Sequence, residues 1–141
     1  MDNIRIDTGV KRLMVNDDPT RVIEFNPEDV LFVERFYALV KTFQEKEIEF
    51  QNRIGELKAH EEKDEYGIPI NTPETLQLAI DVCNFLREQI DKVFGPGTSQ
   101  AAFADTQSLD MFEQFFAGIT PYIQATRSNK VAKYQYKKGK K

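Results

Sequence analysis

The chain has a single cysteine and a single histidine among its 141 residues. One cysteine, Cys83, excludes an internal disulfide and suits a reducing compartment. One histidine, His60 in Lys58-Ala59-His60-Glu61-Glu62, is a poor start for a zinc site, which needs three or four nitrogen or sulfur ligands at fixed spacing. No apolar run approaches the ~20 residues needed to span a bilayer. The segment Met1-Asp2-Asn3-Ile4-Arg5-Ile6 has neither the basic n-region nor the apolar h-region of a signal peptide. Together these absences predict a soluble cytoplasmic chain with no membrane segment. Internal repeats are also missing, and so is any acid after Glu113.

That last absence makes the charge uneven. Arg127, Lys130, Lys133, Lys137, Lys138, Lys140 and Lys141 lie beyond the last acid, leaving residues 1–126 with 12 bases against 23 acids. An acidic body with a basic end repels polyanions over most of its surface. Tyr134 and Tyr136 interleave with the terminal lysines, as in single-strand nucleic-acid binders. A solubilising end, or one that orders on a protein partner, is the favoured reading. Nucleic acid is therefore disfavoured as a partner, and binding through the basic end is the alternative function.

What is present is amphipathic structure. Hydrophobic residues make up 40% and charged residues 30%, which are globular values, and the length fits one domain. Ile4 and Ile6 alternate with Arg5, and Lys11–Val15 and Arg21–Phe25 are β-type runs separated by the turn residues Asn16-Asp17-Asp18-Pro19. Two or three antiparallel strands are expected, and they must pack on helix or on another subunit. Asn26-Pro27-Glu28-Asp29 then predicts a helix start with Asn26 as N-cap. Phe32, Phe36, Leu39, Phe43, Phe50, Ile54 and Leu57 form a coiled-coil-like stripe with one stutter beside Glu47. Continued to about Lys63, this helix is ~55 Å long at 1.5 Å per residue. It must then overhang its own domain and find a partner, or break near Gly55.

A loop over 64–71 precedes a second helix from Thr72 and Pro73 to about Phe94. Its expected stripe is Leu76, Ala79, Ile80, Cys83, Leu86, Ile90, Val93 and Phe94. A helical hairpin follows from the short connection. Gly95-Pro96-Gly97 stops the second helix, a short turn of helix is expected near Gln100–Phe103, and Ser108 caps a third. That helix buries Leu109, Phe112, Phe115, Phe116, Ile119 and Ile123, and Pro121 should kink or end it. The fold class is thus mainly α with a small N-terminal antiparallel β segment (α+β). It comprises one domain over 1–128 (β segment 1–25, helical hairpin 26–94, C-terminal helices 98–128) and a flexible basic tail over 129–141.

The catalytic inventory is thin. His60 reads as an exposed helical residue, and Cys83 as a buried thiol on an apolar stripe rather than a nucleophile. The acidic run Glu61, Glu62, Asp64 and Glu65 lacks the spacing of a calcium loop. Gly95-Pro96-Gly97-Thr98-Ser99 could cradle an anion but lacks the lysine of a P-loop, and a helix stop followed by a cap explains it. No catalytic, cofactor or metal residues are assigned. The expectation is a non-enzymatic protein that binds other chains. The candidate partner-binding residues are Phe32, Phe36, Phe43, Phe50, Ile54, Phe112, Phe115 and Phe116, although aromatic residues at helical spacing are more often core.

Several segments together carry a resemblance. These are Arg21–Val30 leading into Phe36-Tyr37-Ala38-Leu39, then Ile90–Ser99, then the aromatic helix through Phe112, Phe115, Phe116, Ile119 and Tyr122-Ile123, then the lysine-rich end. The arrangement resembles the tail assembly chaperones of long-tailed phages and prophages of Gram-positive bacteria. The resemblance implies a homo-oligomer in the host cytoplasm that coats the helical tape measure protein and gives way as tail tube protein polymerises, and that is absent from the mature virion. It also implies two product lengths made by frameshifting, for which the lysine pairs Lys137-Lys138 and Lys140-Lys141 are candidate positions.

Overall fold

The computed structural model describes the backbone of residues 1–139 and the side chains through Asn129. The architecture is α+β. A two-stranded antiparallel sheet, β1 (Lys11–Val15) and β2 (Asp18–Phe25), is followed by four helices: α1 (Val30–Ala59), α2 (Thr72–Phe94), α3 (Thr98–Phe103) and α4 (Leu109–Gly139).

The strands pair from Lys11↔Phe25 to Met14↔Val22, with an irregularity between Met14 and Val15. Asn16 and Asp17 turn the hairpin with φ of 52° and 60°, the left-handed conformation that these two residue types tolerate best. The Asp18 carboxylate accepts from the Thr20 hydroxyl at 2.6 Å and from its N–H at 2.9 Å. These two bonds, with Arg21 nearby, hold its pKa below the usual value. Leu13, Val15, Ile23 and Phe25 face the core, while Arg12 and Glu24 form an ion pair at 2.9 Å on the outer face. Residues 1–10 contain no strand, contrary to the expectation for Ile4 and Ile6. The alternating pattern is there, but among the described residues no second strand lies alongside it.

The start of α1 also differs from expectation. Asp29 is the N-cap and accepts from the Leu31 N–H at 3.0 Å. Asn26 is occupied one turn earlier, accepting from the Glu28 N–H and donating to the Thr8 carbonyl. α1 runs unbroken through Gly55 for 30 residues, about 45 Å at 1.5 Å per residue. Asp64 organises the connection to α2, its carboxylate accepting from the N–H groups of Tyr66 and Ile68. The Asn71 side-chain amide then donates to the Leu57 carbonyl at 2.9 Å, tying the start of α2 to the end of α1.

The core gathers one side of every element: Ile23 and Phe25, the Phe32–Phe43 stretch of α1, Cys83, Leu86 and Ile90 of α2, Phe103, and Phe112 to Ile123 of α4. Its rings pack edge to face and tilted, with Phe36 and Phe43 both against Phe116 and Phe94 against Phe115, the geometry the ring quadrupole favours. Two arginines tie the layers together. Arg21 of β2 donates to the carbonyls of Ala101 and Ala102 at the end of α3. Arg87 of α2 donates to the carbonyls of Ala104 and Thr106 and to Gln107.

Pro121 does not end α4, and the helix continues to Gly139 rather than stopping near Arg127. The hydrogen bond that proline cannot donate is missing on an exposed side of the helix, where both Pro121 and Ala117 meet solvent. The freed carbonyl thus belongs to an exposed residue, where its loss of a helical partner costs less than it would in the core. Lys140, Lys141 and the side chains from Lys130 onward lie outside the described residues; against the flexible tail expected over 129–141, the described backbone is helical to Gly139.

Candidate partner-binding surfaces

Six of the eight residues expected to bind a partner lie in the core of this one chain: Phe32, Phe36, Phe43, Phe112, Phe115 and Phe116 are all buried. Of these, Phe115 also lines an open groove, described below; a partner could reach Phe36, Phe43, Phe112 and Phe116 only by displacing one of the chain's own elements. Phe50 and Ile54 are half-buried; among the described residues, the rings of α4 meet α1 at Phe36 and Phe43.

That difference leaves an apolar strip on the distal half of the α1–α2 hairpin. The two helices stay together there, with Asn71 on Leu57 at one end and the Lys46 ammonium 4.7 Å from the centre of the Phe85 ring at the other. Between these points Phe50, Ile54 and Leu57 are half-buried, and Leu76 and Ile80 on α2 are 58% and 40% exposed. Leu76 and Ile80 belong to the stripe expected to be buried, and their exposure corrects that expectation. Beyond them the loop presents Tyr66, Ile68 and Ile70 to solvent. Around it Glu45, Glu49, Glu56, Glu74 and Asp81 are exposed, with Glu49 and Glu56 paired to Lys46 and Arg53 at 3.5 Å. An apolar strip among acids and paired charges suits an amphipathic helix with bases on its flanks.

A second surface lies on the other side of the body. The inner face of the β-hairpin and α4 diverge to leave an open groove of about 580 Å³, floored by Leu13, Val15, Phe103, Met111, Phe115 and Ile119. β1 borders it, and among the described residues the sheet has no further strand beyond β1. No local residue pattern marks this groove, which depends on how elements a hundred residues apart are placed.

The groups that might do chemistry are placed otherwise. His60 is the exposed C-cap residue of α1. Cys83 is buried, and burial pushes its thiol pKa up while Arg87 pulls weakly the other way. Such a thiol is a poor nucleophile. The Gly95–Ser99 segment offers no anion cradle, because the Asp91 carboxylate accepts from the Ser99 N–H at 2.8 Å and from its hydroxyl at 3.0 Å. Among the described residues, no three His, Cys, Asp or Glu side chains converge to hold a metal, and no helix is long and apolar enough to cross a membrane.

The chain belongs to a family of unknown function, DUF6673, which matches residues 20–141. The match begins within β2 and leaves β1 and residues 1–10 outside it. No curated protein and no solved structure matches the chain.

Proposed function

We propose that this DUF6673 protein is a non-enzymatic assembly chaperone that holds an amphipathic helix of a phage tape measure protein against the distal half of its α1–α2 hairpin. The observation that carries the reading is that Leu76 and Ile80 are exposed in the same distal half of the hairpin where Phe50, Ile54 and Leu57 are only half-buried. A two-helix platform with an unfilled apolar flank accepts a third helix in the manner of helix-in-groove recognition. The resemblance to tail assembly chaperones supplies the client. The modest size of the strip supplies the release, because a weak contact repeated along a long client gives avidity without irreversible capture. On this reading the protein self-associates on its client in the host cytoplasm, yields it as tail tube protein polymerises, and does not enter the virion.

The test is co-expression of the chain with a tape measure segment of alternating apolar and basic helical pattern, followed by co-purification in low and high salt. Capture should persist at high salt and fall at least tenfold in a Leu76→Gln/Ile80→Gln double variant. Equal capture by wild type and variant would remove the distal hairpin from the mechanism. Capture that vanishes with modest salt would point instead to polyelectrolyte binding, whose affinity falls steeply with ionic strength.

A further inference from the structure

The segment ahead of β1 is an unusual element, because it is shaped but unpacked. Ile4 and Ile6 are 82% and 74% exposed, although they alternate with polar neighbours as the inward residues of a half-buried strand do. Its root is held firmly. The Asn26 amide donates to the Thr8 carbonyl, and the Gly9 N–H donates to the Asp7 carboxylate at 3.0 Å. Gly9 adopts a φ of +83°, and any Cβ there would strike the Glu28 carboxylate. The positive φ disfavours any side chain at this position, and one placed there would also have to push the exposed Glu28 side chain aside. These restraints place Thr8 and Gly9 beside Asn26 and Glu28, at the end of β2 and ahead of α1.

We propose that residues 2–8 are an exchange strand that adds to the free edge of β1 in a second copy of this chain, seating Ile4 and Ile6 in that copy's groove between the β-hairpin and α4. An edge strand with unpaired backbone groups is a template for such addition. The register that fits is antiparallel, with Ile6 opposite Leu13 and Ile4 opposite Val15. It places both isoleucines on the inward face of β1, over the apolar floor formed with Phe115 and Ile119. On the outward face it sets Asp7 beside Arg12, which already pairs with Glu24 and has donors to spare. Seven extended residues span about 23 Å at ~3.3 Å each, enough to cover the five residues of β1. The contact is isologous if two copies exchange segments, and propagates into a chain of subunits if each gives to the next. The inference names the contact behind the self-association invoked above, and does not depend on which client is held.

Light scattering of the full chain across the micromolar range, combined with cross-linking, tests it. Wild type should run as a dimer or larger species, and Ile4→Asp/Ile6→Asp should fall to the monomer mass while still unfolding cooperatively, since neither side chain touches the core; its midpoint should lose only the concentration-dependent part that association adds. Mixing an Asp7→Cys chain with an Arg12→Cys chain under oxidation should give predominantly the mixed disulfide, because neighbouring strands hold such pairs within bonding distance and Cys83 is buried. A monomeric wild type, an Ile4→Asp/Ile6→Asp variant that still associates, or the absence of the mixed disulfide each overturns the proposal. An Ile4→Asp/Ile6→Asp monomer that still captures the helical client separates this contact from the client reading. A wild-type oligomer that captures nothing separates them the other way.

Discussion

Arg21 on β2 donates a hydrogen bond from Nε to the backbone carbonyl of Ala101, 80 residues along the chain, at 2.8 Å. Its second donor reaches the neighbouring carbonyl of Ala102 at 2.9 Å. α3 is thereby clamped at its C-terminal end, where a helix presents carbonyls without partners. Arg87 does the same for the segment that follows, and its guanidinium also lies 5.4 Å from the centre of the Phe103 ring. The two arginines fix the floor of the groove from opposite sides.

Removing either arginine should therefore loosen α3 and not merely trim the surface. Hydrogen bonds from charged groups contribute about 1.5–3 kcal/mol, and Arg87→Ala should cost about that much in chemical denaturation. Arg87→Lys should restore little of it, because an ammonium cannot reproduce the planar fork that serves three acceptors. Full recovery by lysine would mean that charge, and not geometry, is what the site uses.

The seam between α1 and the rest of the core grades along its length, and the grading is measurable. Leu86 is fully buried and Phe43 nearly so, while Phe50 is half-buried. Leu86→Ala should cost about 2–5 kcal/mol and Phe43→Ala about 3–5 kcal/mol, the range for cavity-forming core truncations. Phe50→Ala should cost clearly less in the isolated protein and more when the distal hairpin is occupied. If all three cost the same without a client, the distal half is as well packed as the core and offers no platform.

The helical frame was legible in the sequence because its signals are local. Thr72-Pro73 and Gly95-Pro96-Gly97 bracket α2 within a few residues, and the apolar positions of α4 were found one by one. What escaped was decided by distant elements. Leu76 and Ile80 continue the same periodicity as Cys83 and Leu86, so nothing in α2 itself says where α4 stops covering it. The acceptors of Arg21 and Arg87 are mostly backbone carbonyls, which carry no residue signature. Asn26 has the right chemistry for an N-cap, but its Oδ1 accepts from the Glu28 N–H ahead of the helix, and the cap falls to Asp29. Of the candidate binding residues, the periodicity identified apolar positions correctly but could not distinguish those filled from within the chain from those left open.

Cys83 supplies a pH readout of the core. Its folded pKa is raised by burial, so the native state holds the thiol proton more tightly than the unfolded chain does. The corresponding stability is fully present below the ordinary thiol pKa and is lost as pH rises through the raised folded value. Reaction with a thiol-specific disulfide reagent at pH 8 should accordingly be slow and track global unfolding, accelerating in parallel with denaturant-induced opening. Rapid stoichiometric labelling under native conditions would show that α2 separates from the core far more readily than its burial implies.

Pro121 tests whether the course of α4 is merely tolerated or required. Replacing an exposed helical proline by alanine restores one backbone hydrogen bond, here to the Ala117 carbonyl, and removes the intrinsic penalty of about 3 kcal/mol. Pro121→Ala should stabilise the protein by about 1–3 kcal/mol if the helix axis is free to straighten. The next two residues work against straightening. Tyr122 packs edge to face on Phe25 with ring centres 6.2 Å apart, and Ile123 is fully buried. A net loss of stability would show that proline directs α4 onto the hairpin and so sets the width of the groove.

The decisive surface variants must leave the fold intact, and the choice of residue follows from that. Leu76 and Ile80 lie mid-helix and face solvent, so their truncation forms no cavity. Glutamine has a helix propensity close to that of leucine and slightly above that of isoleucine, which makes Leu76→Gln and Ile80→Gln quieter than an aspartate pair would be. Each should change unfolding free energy by no more than about 0.5 kcal/mol, as expected for surface positions. Self-association should also be unaffected, because both residues lie on the helical hairpin and neither borders the groove under β1. Loss of client capture with stability and oligomer size preserved would then assign the apolar strip to the client alone. A drop of several kcal/mol in the isolated protein would reveal that the strip is already covered in solution. The cover would have to come from another copy of the chain, and the distal hairpin would then be an assembly contact rather than a platform for a foreign helix.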